Sequence, residues 1–195
     1  NIREDAERFD TTALKLGTAF HTLLLEPKTF DTKVVIIPDD APKYPSTSQW
    51  KAKNPSDESK KQIEWWTAFN ENASGRIQLK HSDFSRLQNM AKSILSQPAA
   101  GKLINSSGKV EASFFYHDQT HDVIAKARPD FWREDGIVID LKTTVDASED
   151  EFAKSIANYG YDVQAFMQME AVERITGNRP QAFVFVAVEK EPPYA

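Results

Sequence analysis

RPDFWREDGIVIDLKTT, residues 128–144, decides how this chain is read. Its core, IVIDL, is nearly all apolar and suits a central strand buried on both faces. Residues i and i+2 of a strand share a face, so Asp140 and Lys142 project together while Leu141 turns into the core. Charges at the end of a buried strand need partners, because an unpaired buried charge is costly. Alone, D-x-K defines only two residues, and an ion pair at a strand end accounts for it. The context adds a second carboxylate: Asp130, after Pro129, is expected to close the preceding strand.

Outward from this stretch, VEASFFYH (110–117), HDVIAKARPDFW (121–132) and GIVIDLKT (136–143) are rich in β-branched and aromatic residues. DQTH and REDG separate them, so the pattern predicts a three-strand meander. Ser148 to Ala157 reads as a short helix interrupted around Asn158 and Gly160. Tyr161 to Thr176 reads as a longer one ending at Gly177, and QAFVFVAVE (181–189) as a last buried strand. Upstream, Asp10 to Leu25 reads as a helix with an apolar stripe of Leu14, Ala19, Leu23 and Leu24, ended by Pro27. Val34 to Ile37 is a short strand, and residues 38–57, rich in Pro, Ser, Lys and Asp, form a surface excursion. Ser59 to Ala73 and Ser82 to Ser96 are helical, the second followed by Pro98. The expected order is helix, inserted helical region, three strands, helix, strand, with a helical crossover from the third strand to the last.

The chain has 195 residues, 40% of them hydrophobic and 27% charged, with 24 Lys plus Arg against 29 Asp plus Glu, a net charge of −5. This is globular composition at a length suited to one domain. With no Cys, disulfides, thiolate zinc sites, iron–sulfur clusters and thiol nucleophiles are excluded. A reducing cytoplasm is the simpler expectation. No apolar run of about 18 residues suggests a membrane span. The acidic start, NIREDAERFD, does not read as a signal peptide. The absence of an initial Met, and an end at EPPYA just after a strand, suggest a chain truncated at one or both ends. There is no internal repeat and no helicase P-loop. The negative charge argues against indiscriminate coating of nucleic acid, though not against a site holding phosphates through metal ions.

Glu111 lies on the strand before Asp130, and His21 on the first helix. Three carboxylates and an imidazole can then meet at one end of a sheet. Carboxylate oxygens with retained waters are what Mg²⁺ prefers. Such a site would polarise a phosphoryl oxygen and acidify a water, with Lys142 adding fixed positive charge. That is chemistry suited to phosphodiester hydrolysis. Individually, His21 could be a half-buried helix residue and Glu111 a solvated strand residue.

In this order the motifs resemble the PD-(D/E)xK nuclease superfamily, and within it the RecE (exonuclease VIII) branch, related to RecB nuclease domains and lambda exonuclease. The resemblance runs from LGTAFHTLLLEP (16–27) to RPQAFVFVAVE (179–189). GTAFH matches G-x-x-x-H and gives His21. VEASFFY gives Glu111, RPD gives Asp130, DLKTT gives Asp140 and Lys142, and YDVQ gives Tyr161 and Gln164. The resemblance implies an α/β restriction-endonuclease-like core, one domain over residues 1–195 with a helical and loop insertion at about 38–107. It implies that His21, Glu111, Asp130, Asp140 and the Leu141 carbonyl hold Mg²⁺, with Mn²⁺ a substitute. Lys142 would activate water, and Tyr161 and Gln164 would contact substrate or support Lys142. It further implies exonucleolytic digestion of linear double-stranded DNA ends, 5′ to 3′, serving phage or prophage recombination; the alternatives are another nuclease of the superfamily, acting as an endonuclease or on single strands, and a non-catalytic DNA-end-binding module. A single-strand annealing partner and a ring-shaped homo-oligomer complete that expectation. The superfamily's iron–sulfur branches are excluded by the lack of Cys.

Lys126 and Arg128, leading into Asp130, are candidate cations along a DNA path. His81, His117 and His121 match no motif and read as surface residues. Gln168 extends the Tyr161–Gln164 helix face, and the Trp65–Trp66 pair reads as core.

Overall fold

The computed structural model describes residues 12–195; the expected helix start at Asp10 and the opening acidic stretch lie outside them. Helix α1 (Thr12–Leu25) buries Ala19, Phe20 and Leu24. Pro27, which has no N–H to satisfy, opens a 3₁₀ turn (Pro27–Thr29) that leads into α2 (Phe30–Lys33) and β1 (Val34–Ile37). The excursion that follows is pinned at two points. A Ser46–Gln49 capping box starts α3 (Thr47–Trp50), and the Ser56 hydroxyl accepts from the Ser59 N–H at the start of α4 (Asp57–Asn72). Trp66 is 5% exposed and donates its indole N–H to the Pro42 carbonyl at 2.9 Å. Trp65 stacks on Phe69 at 5.1 Å, so the Trp pair is packing material as expected.

Two elements in this region escape the sequence pattern. Residues Ile77–Lys80 form β2, paired in parallel with β1. Pro98 does not merely end α5 (His81–Ser96); it starts α6 (Pro98–Ile104), where its missing N–H costs nothing. Leu87, Met90, Ala91 and Ile94 of α5 belong to the main core.

The expected three-strand meander is corrected. Its first segment divides into β3 (Lys109–Val110) and β4 (Phe114–Asp118), and its second into β5 (Val123–Ala127) and β6 (Phe131–Arg133). The breaks fall at Glu111, whose φ is +51°, and at the proline of Arg128–Asp130. β4 and β5 pair as a separate hairpin. The third segment is β7 (Ile137–Thr144), continuous as expected. Helices α7 (Glu149–Tyr159) and α8 (Tyr161–Thr176) cross to β8 (Ala182–Glu189), which pairs with β7 in parallel. The sheet order is β3-β6-β7-β8. Among the described residues no helix is long and apolar enough to cross a membrane.

β7 has helices on both faces. Ile139 and Leu141 join Phe20 of α1 and Leu87 of α5 in the main core. Val138 packs with Ala171 and Val172 of α8 and with Phe114. By strand alternation Asp140 and Lys142 share the α8 side with Val138. The run of apolar residues in β7 is therefore the sequence trace of a strand sealed from both sides.

At the entry to β3, Gly108 passes so close to β6 that an added Cβ would lie 2.6 Å from the Phe131 ring and 2.7 Å from the Trp132 carbonyl oxygen. The second contact is backbone and cannot swing aside. Gly108→Ala should therefore destabilise the fold by about 1–3 kcal/mol, the usual cost of overpacking. Urea denaturation of the variant beside wild type measures it; equal midpoints would contradict this close approach.

Candidate active site

The site begins where β6 stops short. Phe131 pairs with Ile139, and continuing that register sets Asp130 beside Asp140 and Pro129 beside Leu141. Pro129 is fully buried and has no N–H, so the backbone ladder fails here. The Asp130 carboxylate takes over: its Oδ2 accepts the Leu141 N–H at 2.7 Å. Asp130 thus precedes β6, rather than closing a strand, and its side chain is fixed by β7. The Leu141 carbonyl points to the same edge of β7 as its N–H, the edge vacated by β6. The Asp130 carbonyl in turn accepts the Glu111 N–H at 3.0 Å. That contact holds Glu111 in the left-handed region at φ +51°, a conformation that costs a non-glycine residue about 1–3 kcal/mol.

His21, half-buried on α1, completes the group. Ligand atoms of His21, Glu111 and Asp130 all lie within 4.8 Å of one another. His21 Nδ1 stands 3.4 Å from Asp130 Oδ1, and Arg128 Nε 2.8 Å from Glu111 Oε2. Burial alone would lower the pKa of His21. The hydrogen bond to Asp130 and the charges of Asp130, Glu111 and Asp140 together outweigh that and raise it. Burial raises the pKa of Glu111 against the pull of Arg128, and the charge of Asp130 adds to the rise. A half-buried carboxyl whose ionisation a neighbouring carboxylate further opposes is short of positive charge. Two carboxylates and an imidazole with convergent lone pairs are also a donor set that suits a divalent cation.

Asp140 and Lys142 form a second, contiguous group. Asp140 is 1% exposed. Its Oδ1 accepts from Gln164 Nε2 at 2.6 Å, and its Oδ2 faces Lys142 Nζ at 2.5 Å. Lys142 also donates to Gln164 Oε1 at 3.0 Å and lies over the Tyr161 ring, 4.3 Å from its centre. Gln164 therefore bridges the acid and the ammonium, and Tyr161 supplies an aromatic face to the cation. Burial pushes the Asp140 carboxyl up, as does the charge of Asp130, while Lys142 and His21 oppose the rise.

The structure brings all the expected residues to one place, arranged in two groups. His21, Glu111 and Asp130 converge; Asp140 stands apart from that trio with its carboxylate engaged by Lys142 and Gln164. A cleft of about 740 Å³ opens over both groups, lined by His21, Glu111, Asp130, Leu141, Lys142 and Tyr161 among others. Arg128 lines it too, but paired with Glu111. Lys126 sits on the β5 strand over the Phe115 ring. The sequence reading missed Glu26, which pairs with Lys33 at 2.9 Å on the cleft wall and whose charge also lifts Glu111. No local pattern marks that pair. His117 and His121 pair with Asp122 and Asp118 on the exposed hairpin, and His81 is exposed, so all three are surface residues. Gln168 is buried, with no hydrogen bond to its Oε1 among the described residues.

Three shifts in this site act on stability in the same direction. Glu111 and Asp140, with raised pKa, cost stability once pH climbs past their unfolded values and they ionise in the fold. His21, also raised, contributes stability below its unfolded value that is lost as pH rises through the folded one. In EDTA, the melting temperature should therefore fall as pH rises from about 4 to about 8, the carboxyls contributing from their ordinary values upwards and His21 from about 6.5. Asp140→Asn should flatten the fall, since its side-chain carbonyl can still accept from Gln164. Calorimetry across that range checks it; a slope unchanged in Asp140→Asn would remove Asp140 from the cause.

Comparison with known proteins places the chain in a family and a fold. A family described as "PDDEXK-like domain of unknown function (DUF3799)" matches residues 1–195. A crystal structure of a "Putative exonuclease" from Eubacterium rectale superposes with a TM-score of 0.54 at 14% identity, covering 97% of this chain and 57% of that one. At that identity the likeness is one of fold, and it agrees with the expected α/β restriction-endonuclease-like core. The chain thus spans little more than half of that structure's length. A search of curated proteins gave no match.

Proposed function

Because the chain belongs to this PDDEXK-like family along its whole length, we propose that it is a divalent-metal-dependent nuclease that cuts DNA from its ends. The observation that carries the reading is the convergence of His21, Glu111 and Asp130 beside an ammonium, Lys142, held by Asp140, Gln164 and Tyr161. The finer reading is digestion of linear duplex, 5′ to 3′, in the manner of the RecE branch. It would leave 3′ single strands for an annealing partner in phage-type recombination, with a ring of subunits keeping hold of the duplex. Its support is the set of motifs, from G-x-x-x-H to Y-x-x-Q, in their order along the chain.

The residues fit a metal by their chemistry: hard carboxylate oxygens and one imidazole, drawn together at one edge of the sheet. His21, Glu111 and Asp130 would hold Mg²⁺ or Mn²⁺, with the Leu141 carbonyl at the same strand edge and Asp140 behind. The ion would supply Lewis-acid polarisation of the phosphate and a water acidified for attack. The chain's own part is positioning and charge. Asp130 is oriented by the Leu141 N–H, so the carboxylate does not wander between rotamers. Lys142 keeps a compact ammonium at the cleft floor, where charge on a phosphoryl group increases during attack. Gln164 fixes both the ammonium and Asp140, and so sets the direction in which Lys142 points.

The reading is tested with end-labelled linear duplex and closed circles, in Mg²⁺, Mn²⁺, Ca²⁺ or EDTA. Linear DNA should be degraded with Mg²⁺ or Mn²⁺, circles should survive, and EDTA should stop the reaction. Binding of ends with no cleavage under any ion would leave an end-binding module instead. Lys142→Ala should keep calorimetric metal binding yet lower turnover by about 10²–10³-fold, the usual loss when one charge-stabilising group goes. Lys142→Arg should rescue poorly, because a planar guanidinium does not fit the place of an ammonium. Asp130→Ala should lose metal binding and cleavage together.

A further inference from the structure

Lys142, Thr143 and Tyr161 line two cavities. One is the cleft over His21, Glu111 and Asp130. The other, of about 540 Å³, is lined by none of those three; it extends from Lys142 towards Phe152, Tyr159 and Lys190. We propose that this second cavity takes one unpaired nucleoside of the strand held at Lys142, with Tyr159 as the surface on which its base stacks. The proposal rests on the phosphodiester reading of the neighbouring cleft.

Tyr159 is the last residue of α7 and is 71% exposed. Gly160 follows in the left-handed region at φ +65°, so α8 starts at once and Tyr161 comes immediately after the turn. The Tyr159 and Tyr161 rings consequently stack, with centres 5.6 Å apart and planes 30° apart. Tyr161 is backed by Phe152 and Phe185, at 6.4 and 5.9 Å, and Lys142 lies over it. Tyr159 is thus held through Tyr161 by a packed aromatic set, while most of its own surface meets water. An aromatic ring fixed in this way and left exposed gains little for the fold. It is a stacking platform of the kind single-stranded nucleic acids use.

The rest of the cavity fits a nucleotide chain. Its volume lies in the range of small-ligand sites and is too small for a duplex. The Lys190 ammonium has no ion-pair partner among the described residues, and its segment is fixed by the Lys190 N–H to the Thr144 carbonyl at 3.0 Å. The acids on the wall are already engaged: Glu151 by Lys154, and Asp146 by the Ser148 N–H at 2.8 Å. A phosphate at Lys142, a base on Tyr159 and a second phosphate near Lys190 would use three groups that line this one cavity. A base paired in duplex could not enter, so the end must fray by at least one nucleotide before it is held.

The test uses the whole chain in Ca²⁺ and short single strands carrying 2-aminopurine at each of the terminal positions in turn. Wild type and Tyr159→Phe should quench the probe at one position. Tyr159→Ala should not, and should bind about 5- to 100-fold more weakly with an unchanged melting temperature. An abasic nucleotide at that position should weaken wild type to the same level and leave Tyr159→Ala no weaker still. Equal affinity of Tyr159→Ala and wild type, or losses that add between the variant and the abasic strand, would overturn the proposal. Cleavage in Mg²⁺ separates it from the reading it rests on. Quenching without any cleavage by wild type removes the nuclease and keeps the nucleoside site. Normal cleavage without quenching, at unchanged KM in Tyr159→Ala, removes the site and keeps the nuclease.

Discussion

A carboxylate sealed in the middle of a sheet is the constraint on which this molecule turns. Asp140 is 1% exposed, on a strand covered on both faces, and a lone charge there would cost several kcal/mol. The fold tolerates it because Lys142, two residues on, reaches the same face and Gln164 of α8 bonds to both. That arrangement fixes α8 against β7, and α8 fixes the crossover to β8. Losing one partner would leave the others with a weaker set of charge and hydrogen-bond contacts, so the three are energetically coupled.

A second constraint, at the edge of β7, works by omission. Pro129 cannot donate to the ladder, and β6 ends before it reaches Leu141. Asp130 fills the missing place with its side chain, and its backbone carbonyl then anchors Glu111. One interrupted strand therefore sets two carboxylates at fixed positions facing α1, where His21 meets them. The left-handed backbone at Glu111 is strain retained at that spot, held by the hydrogen bond to Asp130.

Much of this was legible in the sequence because the relevant elements carry strong patterns. β7 announces itself as an unbroken apolar run holding two charges, and the α7–α8 pair by Gly160 and Gly177. His21, Glu111, Asp130, Lys142 and Tyr161, which line the cleft, follow from motif order, whereas Glu26 on its wall does not. What was hidden had physical reasons. The strand-like composition of VEASFFYH runs straight across Glu111, so nothing local marks the break made by its backbone. β2 has four residues between two helices and forms only because β1 is beside it. Helix spacing shows that Tyr161 and Gln164 share a face, but not that Gln164 would hold an acid with one end and an ammonium with the other. The split between the His21 trio and the Asp140 pair depends on tertiary distances that no spacing encodes.

The sequence positions of these groups also shape how the protein is made. Asp130 meets Leu141 across 11 residues, and Asp140 meets Gln164 across 24, so this half of the site closes through short loops. His21 reaches the same place from the first helix, across β1, the long excursion and α5. Loop-closure entropy rises with length, and contacts of wide separation slow folding. The cation-holding group is thereby the part of the site that draws on nearly the whole chain: without α1 in place, Glu111 and Asp130 lack the imidazole. A divalent cation held by all three residues would therefore report that the first helix is docked against the interrupted strand.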